Sequence, residues 1–281
     1  MITFFICLTL LVAAYFIYGR ALEKVVDIDA SAPVPSETHY DGVDYMPLPR
    51  WRIFLIQLRE IAGTGPIFGA ILGACYGPVA FVWITLGGIL MGAMHDFVAG
   101  VISLRNEGRS LPETIGKYLG RNMYRLSMVV IPILMVLVGG VFIVTPSKIL
   151  ASMTDMPYLV WVGVVIVYYF IATILPVDKI IGKIYPLFGA ALIFMALAMF
   201  GVVVVGDYEI PELLSLSNEH INAENLPIVP TLFISIACGA ISGFHATQSP
   251  LMARCVTSEK QCRPVFFGAM ISESVIALIW A

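Results

Sequence analysis

The stretch EIAGTGP at residues 60–66 interrupts an apolar run that covers residues 53–75. A run of that length can cross a bilayer, so the interruption is expected near the middle of the membrane. Proline lacks a backbone donor, and glycine permits backbone conformations that other residues avoid. The sequence therefore predicts two half-helices that meet end to end, with Gly63, Thr64 and Gly65 offering backbone groups to a substrate or an ion.

A kinked but continuous helix, in which Arg59 and Glu60 form a structural pair, is the alternative interpretation of the same stretch. Charged residues within membrane spans are rare and usually mark transport pathways. The functional interpretation is therefore favoured, with Glu60 as one candidate for the residue that binds the coupling ion.

The composition of the chain excludes a soluble globular domain. Of its 281 residues, 59% are hydrophobic and only 12% are charged, and the mean hydropathy is +0.91. Such a chain is predicted to be a polytopic membrane protein, whose surroundings are the lipid bilayer. The net charge of −3, without a basic block, argues against nucleic acid as a partner.

Apolar runs of bilayer length predict an all-α fold, a polytopic transmembrane helical bundle of about eight spans with discontinuous helices. The predicted spans are residues 2–19, 53–76, 78–102, 126–147, 156–177, 184–206, 227–251 and 264–281. If the N-terminus lies outside, all of the 16 lysines and arginines except Lys148 fall on the cytoplasmic side. This distribution agrees with the positive-inside rule and supports both the number of spans and the orientation.

The chain is predicted to form a single transmembrane carrier domain over residues 1–281. Within it, residues 106–125 have a helix-start pattern and several basic residues, which predicts a short helix at the membrane interface. The sequence stops inside an apolar run, ALIWA at residues 277–281. We therefore expect a fragment whose C-terminal helices are missing.

Glycine recurs every four residues in two neighbouring spans, a spacing that lets helices approach closely. The glycines are Gly65, Gly69, Gly73 and Gly77 in one span, and Gly88, Gly92 and Gly100 in the other. Helix packing explains these glycines, but it does not explain Asp96, which occupies one position of the second stripe.

Asp96 is predicted to place a carboxylate against a neighbouring helix, and His95 precedes it. A buried carboxylate and an imidazole can both exchange protons, so these two residues are candidates for ion coupling. A structural ion pair of Asp96 with Arg59 or Arg105 is the alternative. Glu273, in the last span, is a further acidic residue predicted to lie within the membrane and to couple an ion.

A second polar stretch, SGFHATQSP at residues 242–250, lies within the seventh predicted span. It predicts that His245, Thr247, Gln248 and Ser249 line a polar cavity that binds substrate. The alternative is a helix that simply ends at the cytoplasmic interface before Arg254.

Two interrupted spans, one early and one late, are typical of a secondary transporter with its site between discontinuous helices. The predicted partners are a small-molecule substrate and a coupling ion, either a proton or sodium. No Walker A sequence is present, so this chain is not expected to hydrolyse ATP. No cofactor and no metal site are predicted.

Two other classes of protein are weaker alternatives. An intramembrane protease or hydrolase lacks support because HExxH and GxSxG are absent and Asp96 has no evident acidic partner in the sequence. A haem or metal carrier would have to use His95 and His245 as ligands from two helices, without clustered cysteines or acids to support them.

Five separated motifs of the chain are shared with one protein family. They are IAGTGP (61–66), GAMHDF (92–97), SLRNEGRSLPE (103–113), SGFHATQSPLMARC (242–255) and FFGAMISESVIALIWA (266–281). Together they resemble the carbon starvation protein A (CstA) family of bacterial inner-membrane proteins, in a shorter branch. The resemblance runs from the first helix to the last residue, and members of the family are longer than this chain.

The resemblance implies uptake of small nutrients during carbon starvation, with peptides as the usual substrates, pyruvate in a related branch, and coupling to protons. It also implies broken helices similar to those of amino acid–polyamine–organocation transporters. The positions that match shared motifs are Gly63, Gly65, Pro66, Asp96, His245 and Glu273. In larger members of the family, a His-His pair stands where this chain has Ile56-Gln57, and a glutamine stands where it has His95.

Overall fold

The structure is a computed structural model that describes residues 1–63, 65–174, 177–206, 210–214, 216–237 and 245–281. Side chains are described for the same residues except 174–186 and His245. Within these ranges every regular element is helical and none is a strand. The predicted all-α fold is therefore confirmed.

The helices follow one another along the chain with short connections. The first seven are α1 (Ile2–Phe16), α2 (Tyr18–Val26), α3 (Pro35–Thr38), α4 (Arg50–Ile61), α5 (Gly65–Ala74), α6 (Val79–Gly87) and α7 (Met94–Arg105). The others are α8 (Leu111–Leu119), α9 (Arg121–Met153), α10 (Tyr158–Ile174), α11 (Val177–Val205), α12 (Phe233–Ala237), α13 (His245–Ala253) and α14 (Gly268–Trp280).

Some helices are joined by wider π-helical turns. Gly88–Ala93 connects α6 to α7, and Arg263–Phe267 leads from a short 3-10 turn, Glu259–Gln261, into α14. A third π segment, Ile228–Leu232, precedes α12. Such turns change the direction of side chains along a helix and are frequent at functional sites.

The lengths of the helices fit a polytopic membrane protein. In the described residues, five segments are long and apolar enough to cross a membrane, namely Ile2–Val26, Val79–Arg105, Arg121–Met153, Leu187–Val205 and Glu259–Trp280. Three shorter apolar helices are Gly65–Ala74, Tyr158–Thr173 and Ile228–Ala237. These segments overlap the predicted spans one for one.

The first compact unit comprises residues 1–110 and 185–281, and α14 lies in its core. Helices α1, α4, α5 and α6 pack against α14, and most of the α14 side chains are buried. Two glycines of the second recurring set, Gly92 and Gly100, allow the close packing against the C-terminal helical segment. A Cβ atom at Gly92 would lie 2.8 Å from Met270 Cε, and a Cβ atom at Gly100 would overlap the ring of Phe266. The close approach predicted for these glycines is present.

The second compact unit comprises residues 111–184. In it, α8 and α10 both pack against α9, and the Tyr169 hydroxyl donates a hydrogen bond to the Phe142 carbonyl at 3.0 Å. Most of the apolar side chains described on α9 and α10 are exposed, as expected for helices that face lipid. Helix α8 lies within residues 106–125, and its location at the membrane interface stays a prediction.

Candidate ion and substrate site

The predicted helix break is present between α4 and α5. Helix α4 ends at Ile61, and Ala62 has non-helical angles of φ −80° and ψ 70°. The Gly63 amide donates to the Ile61 carbonyl at 3.0 Å, which closes a tight turn instead of continuing the helix. Thr64 lies outside the described residues, and α5 begins at Gly65. The span is therefore two half-helices, as its Gly and Pro residues predict.

Asp96 lies in the core of the first unit, where three helices bring polar side chains together. The Gln57 Nε2 amide of α4 donates to both carboxylate oxygens of Asp96, at 3.1 Å each. The Ser249 hydroxyl of α13 donates to Asp96 Oδ1, and Gln57 Nε2 lies 3.5 Å from Ser249 Oγ. All three side chains are 0% exposed. We call Gln57, Asp96, Ser249 and the neighbouring Glu273 the buried polar cluster.

Glu273 joins this cluster from α14. Its side chain is 0% exposed, and it is close enough to Asp96 for the two carboxyl groups to interact electrostatically. Within the described structure, neither Glu273 oxygen accepts or donates a hydrogen bond, and Gln57 Oε1 is also buried without a partner. An unpaired polar group in such a place costs free energy, so the cluster is only partly satisfied.

The buried polar cluster lies beside the helix break. Gln57 precedes the end of α4 by one helical turn, so the cluster is next to that break. Carriers with broken helices bind their substrates and ions beside such interruptions.

The acidic partner of Arg105 is Glu259 and not Asp96, so the predicted alternative of an Asp96–Arg105 ion pair is wrong. Arg105 Nε lies 2.8 Å from Glu259 Oε1, and Arg105 Nη2 lies 2.8 Å from Glu259 Oε2. Arg105 also donates to the backbone carbonyls of Val26 and Asp27. The described partners of Asp96 are an amide and a hydroxyl, which leave its charge without a cation.

The other predicted coupling residues are in different surroundings. Glu60 is half-buried, and its Oε2 is buried without a hydrogen-bond partner among the described residues. His95 is exposed, whereas Asp96 is fully buried. Adjacent residues on a helix point about 100° apart, so His95 and Asp96 do not converge on one site.

The second polar stretch is described from His245 onward. Residues 245–253 form α13, a helix that contains Pro250. Ser249 belongs to the buried polar cluster, while Thr247 and Gln248 are half-buried on the same helix. The side chain of His245 and all of residues 238–244 lie outside the described residues. Of the polar stretch predicted at residues 242–250, the described part from His245 to Pro250 is therefore helical and shows no break.

Gln57 belongs to the buried polar cluster but is not among the residues predicted from the sequence to bind substrate or ion. The sequence sets it apart only because larger family members have a His-His pair where this chain has Ile56-Gln57. A glutamine within an apolar run, one turn before a helix break, is itself a signal, because its amide must find partners inside the membrane. Its partners, Asp96 and Ser249, could not be read from the sequence.

Two cavities in the first unit are lined mainly by apolar side chains. One, of about 300 Å³, is lined by residues such as Phe4, Phe200 and Trp280. The other, of about 590 Å³, is lined by residues such as Phe54 and Ile276. The lining of neither cavity includes a member of the buried polar cluster.

Comparison with known proteins covers the whole chain. The sequence model of the family described as carbon starvation protein CstA matches residues 1–157 and 144–281. An uncharacterized membrane protein of Haemophilus influenzae is 41% identical in an alignment that is 332 positions long, gaps included. The alignment covers 100% of this chain and 89% of that protein. No solved structure matches the chain.

Two relatives with functional names are more distant and longer. The peptide transporter CstA of Campylobacter jejuni is 27% identical over 94% of this chain and 47% of its own length. The pyruvate/proton symporter BtsT of Escherichia coli is 26% identical over 95% of this chain and 46% of its own length. The chain thus spans about half the length of these two transporters.

Proposed function

The chain belongs to the carbon starvation protein CstA family, and on that premise we propose that it acts in secondary active transport. In this proposal it takes up small nutrients, peptides first, by alternating access and with protons as the coupling ion. The protein itself is then a carrier and not an enzyme.

One observation carries the proposal: buried polar side chains from four helices meet beside a broken span. Gln57, Asp96 and Ser249 are linked by hydrogen bonds, and Glu273 is next to them. Polar and ionisable groups within membrane spans are costly, and they usually serve a solute or an ion. Half-helix ends supply the remaining backbone groups that such a site needs.

The roles combine the sequence prediction with the positions of the described residues. We assign substrate contacts to the backbone at Gly63, Thr64 and Gly65 and to side chains of α13. The side chains assigned on α13 are His245, Thr247, Gln248 and Ser249. We assign the coupling ion to Asp96 and Glu273, while Glu60 and His95 lie outside the hydrogen-bonded cluster and are secondary candidates.

Symport of pyruvate or another small carboxylate with a proton is the second candidate. The relative named as a pyruvate/proton symporter supports it at nearly the same identity as the one named as a peptide transporter. A carboxylate substrate would need hydrogen-bond donors, and the amides at the break next to the cluster are of that kind.

Transport by the purified 281-residue chain in lipid vesicles tests the proposal. Labelled pyruvate and a labelled dipeptide are offered with a proton gradient, with a sodium gradient and with neither. Accumulation of either compound against its gradient, driven by protons, is the expected result. Accumulation driven by sodium alone would contradict proton coupling, and neither counterflow nor accumulation of either compound would contradict the transport proposal.

Asp96→Asn tests whether the buried polar cluster couples the ion. The amide removes the charge but keeps the shape, so we expect insertion into the membrane and normal folding, with loss of gradient-driven uptake. Ser274→Ala is the matched control, because Ser274 is buried on α14 and, within the described structure, donates its hydrogen bond to the Met270 carbonyl of its own helix. Native proton-driven uptake by the Asn variant would exclude Asp96 from coupling.

We further propose that the protein lies in the bacterial inner membrane with its N-terminus outside. The distribution of Lys and Arg supports this orientation. Single cysteines are placed at Asp41 or at Asn222 in a chain whose native cysteines are replaced. A membrane-impermeant thiol reagent should label the cysteine at position 41 only from the inside and the cysteine at position 222 only from the outside. The opposite labelling would reverse the orientation.

A further inference from the structure

The two carboxyl groups of the buried polar cluster have different surroundings. Asp96 accepts hydrogen bonds at both oxygens, from the Gln57 amide and the Ser249 hydroxyl. An ionised carboxylate is purely an acceptor, so donors on both oxygens suit the charged form of Asp96.

Glu273 has the opposite surroundings. Both of its oxygens are buried and have no hydrogen-bond partner among the described residues. Among the described residues no donor and no cation compensates a charge there, and Asp96 supplies a further acidic group. A charged group in such a place costs far more than a neutral one, so these surroundings favour the protonated form of Glu273.

The other charged and titratable groups near α14 do not change this assignment. Packed against α14 are α1, α4, α5, α6 and the π segments Gly88–Ala93 and Arg263–Phe267. The titratable side chains that these elements carry are Cys7, Tyr15, Arg50, Arg52, Arg59, Glu60 and Arg263. Of the groups that the structure describes, Asp96 is the one found in electrostatic contact with Glu273.

We propose that Glu273 is the residue that carries the transported proton, and that Asp96 is its fixed anionic neighbour. This inference rests on the proposed function and assigns separate roles within the same site. When Glu273 releases its proton, a second negative charge is added to that of Asp96 in a low-dielectric interior, and the cost of this charge favours a different arrangement of the cluster. Proton release and conformational change are thereby coupled.

Infrared spectroscopy of the purified chain tests the assignment without any substrate. The difference spectrum between the native protein and Glu273→Gln should contain the C=O stretch of a protonated carboxylic acid. The difference spectrum between the native protein and the control Ser274→Ala should not contain this band. The spectrum of Asp96→Asn should still contain the carboxylic acid band, because Glu273 is unchanged in that variant. A native-minus-Glu273→Gln spectrum without a carboxylic acid band would overturn the proposal.

Transport in lipid vesicles gives the second readout, with labelled pyruvate and a labelled dipeptide as probes. Glu273→Gln should retain counterflow of the transported probe and lose accumulation driven by a proton gradient, whereas Ser274→Ala retains both. Native accumulation by Glu273→Gln would overturn the proposal. If the native chain transports neither probe, the transport function fails by itself, and the infrared band still decides where the proton lies.

Discussion

Glu259 and Glu273 lie on the same C-terminal helical segment, Glu259–Trp280, and are 1% and 0% exposed. Glu259 is fully partnered: Arg105 approaches both oxygens at 2.8 Å, and the Asp29 amide donates to Oε2 at 2.9 Å. Glu273 has no hydrogen-bond partner in the described part of the chain. Burial of a carboxyl group therefore does not by itself indicate its role, whereas its partners do.

We interpret this difference as one between a structural site and the proposed functional site. Arg105 and Glu259 tie the end of α7, the loop after α2 and the start of the last helical segment into one compensated network. The Glu273 carboxyl group lowers stability where it lies, and groups of that kind are typical of sites that bind and release an ion. The following variants test this contrast, beginning with the largest expected effect.

Arg105→Ala should destabilise the protein most, because it leaves Glu259 buried and unpaired. Loss of one partner of a buried ion pair costs about 3–5 kcal/mol, and the lower end applies because the Arg105 side chain is 38% exposed. The measurement is unfolding in mixed micelles with increasing denaturing detergent. The double variant Arg105→Met, Glu259→Met should recover part of the loss, and a double variant as unstable as the single one would contradict the pairing argument.

Glu259→Gln and Glu273→Gln compare the two carboxyl groups directly with the same substitution. Glu259→Gln should lower the free energy of unfolding by about 1.5–3 kcal/mol, because charge-assisted hydrogen bonds to Arg105 are lost. Glu273→Gln should change it by less than about 0.5 kcal/mol, since an amide replaces a neutral carboxyl group of the same shape. Equal losses in the two variants would show that Glu273 has a compensating partner.

Gly100→Ala tests the packing that brings the cluster together. Because a Cβ atom there would overlap the Phe266 ring, the helices must move apart, at a cost of about 1–3 kcal/mol. Gly139 has no atom within 4 Å of its Cβ position, so Gly139→Ala is the control and should not destabilise. Thermal unfolding of the two variants in detergent decides, and an unchanged midpoint for Gly100→Ala would contradict the close approach.

Arg109→Ala should have the smallest effect. Its ion pair with Glu107 joins side chains that are 48% and 57% exposed at 3.1 Å, and such surface pairs contribute less than about 1 kcal/mol. The same denaturing-detergent titration as for Arg105→Ala provides the measurement. A loss as large as that of Arg105→Ala would mean that exposure does not separate the two pairs.

The sequence was sufficient to predict the helical segments and the first break. Apolar runs identify the spans because hydrocarbon admits only helices with satisfied backbones, and EIAGTGP ends α4 because Gly and Pro do not continue it. The first span was predicted to end at residue 19, but helix continues to Val26, since its last turns are amphipathic and charged instead of apolar.

The composition of the buried polar cluster could not be predicted in the same way. The glycine stripe indicated that Asp96 faces another helix, but its partners Gln57 and Ser249 are 39 and 153 residues away in sequence. Only tertiary packing brings them together. For His95 the sequence prediction failed in another way. His95 is exposed although the adjacent Asp96 is buried, because the direction of a side chain depends on which face of the helix packs.

Gradient-driven uptake by Glu259→Gln and Glu273→Gln in the same lipid vesicles is the most direct test of the division between a structural and a functional carboxyl group. Uptake is expressed per folded molecule, with the labelled compound that the native chain transports. We predict that Glu259→Gln accumulates the compound as the native protein does, although it is less stable, and that Glu273→Gln is stable but does not accumulate it. Loss of accumulation in Glu259→Gln with native accumulation in Glu273→Gln would contradict this division.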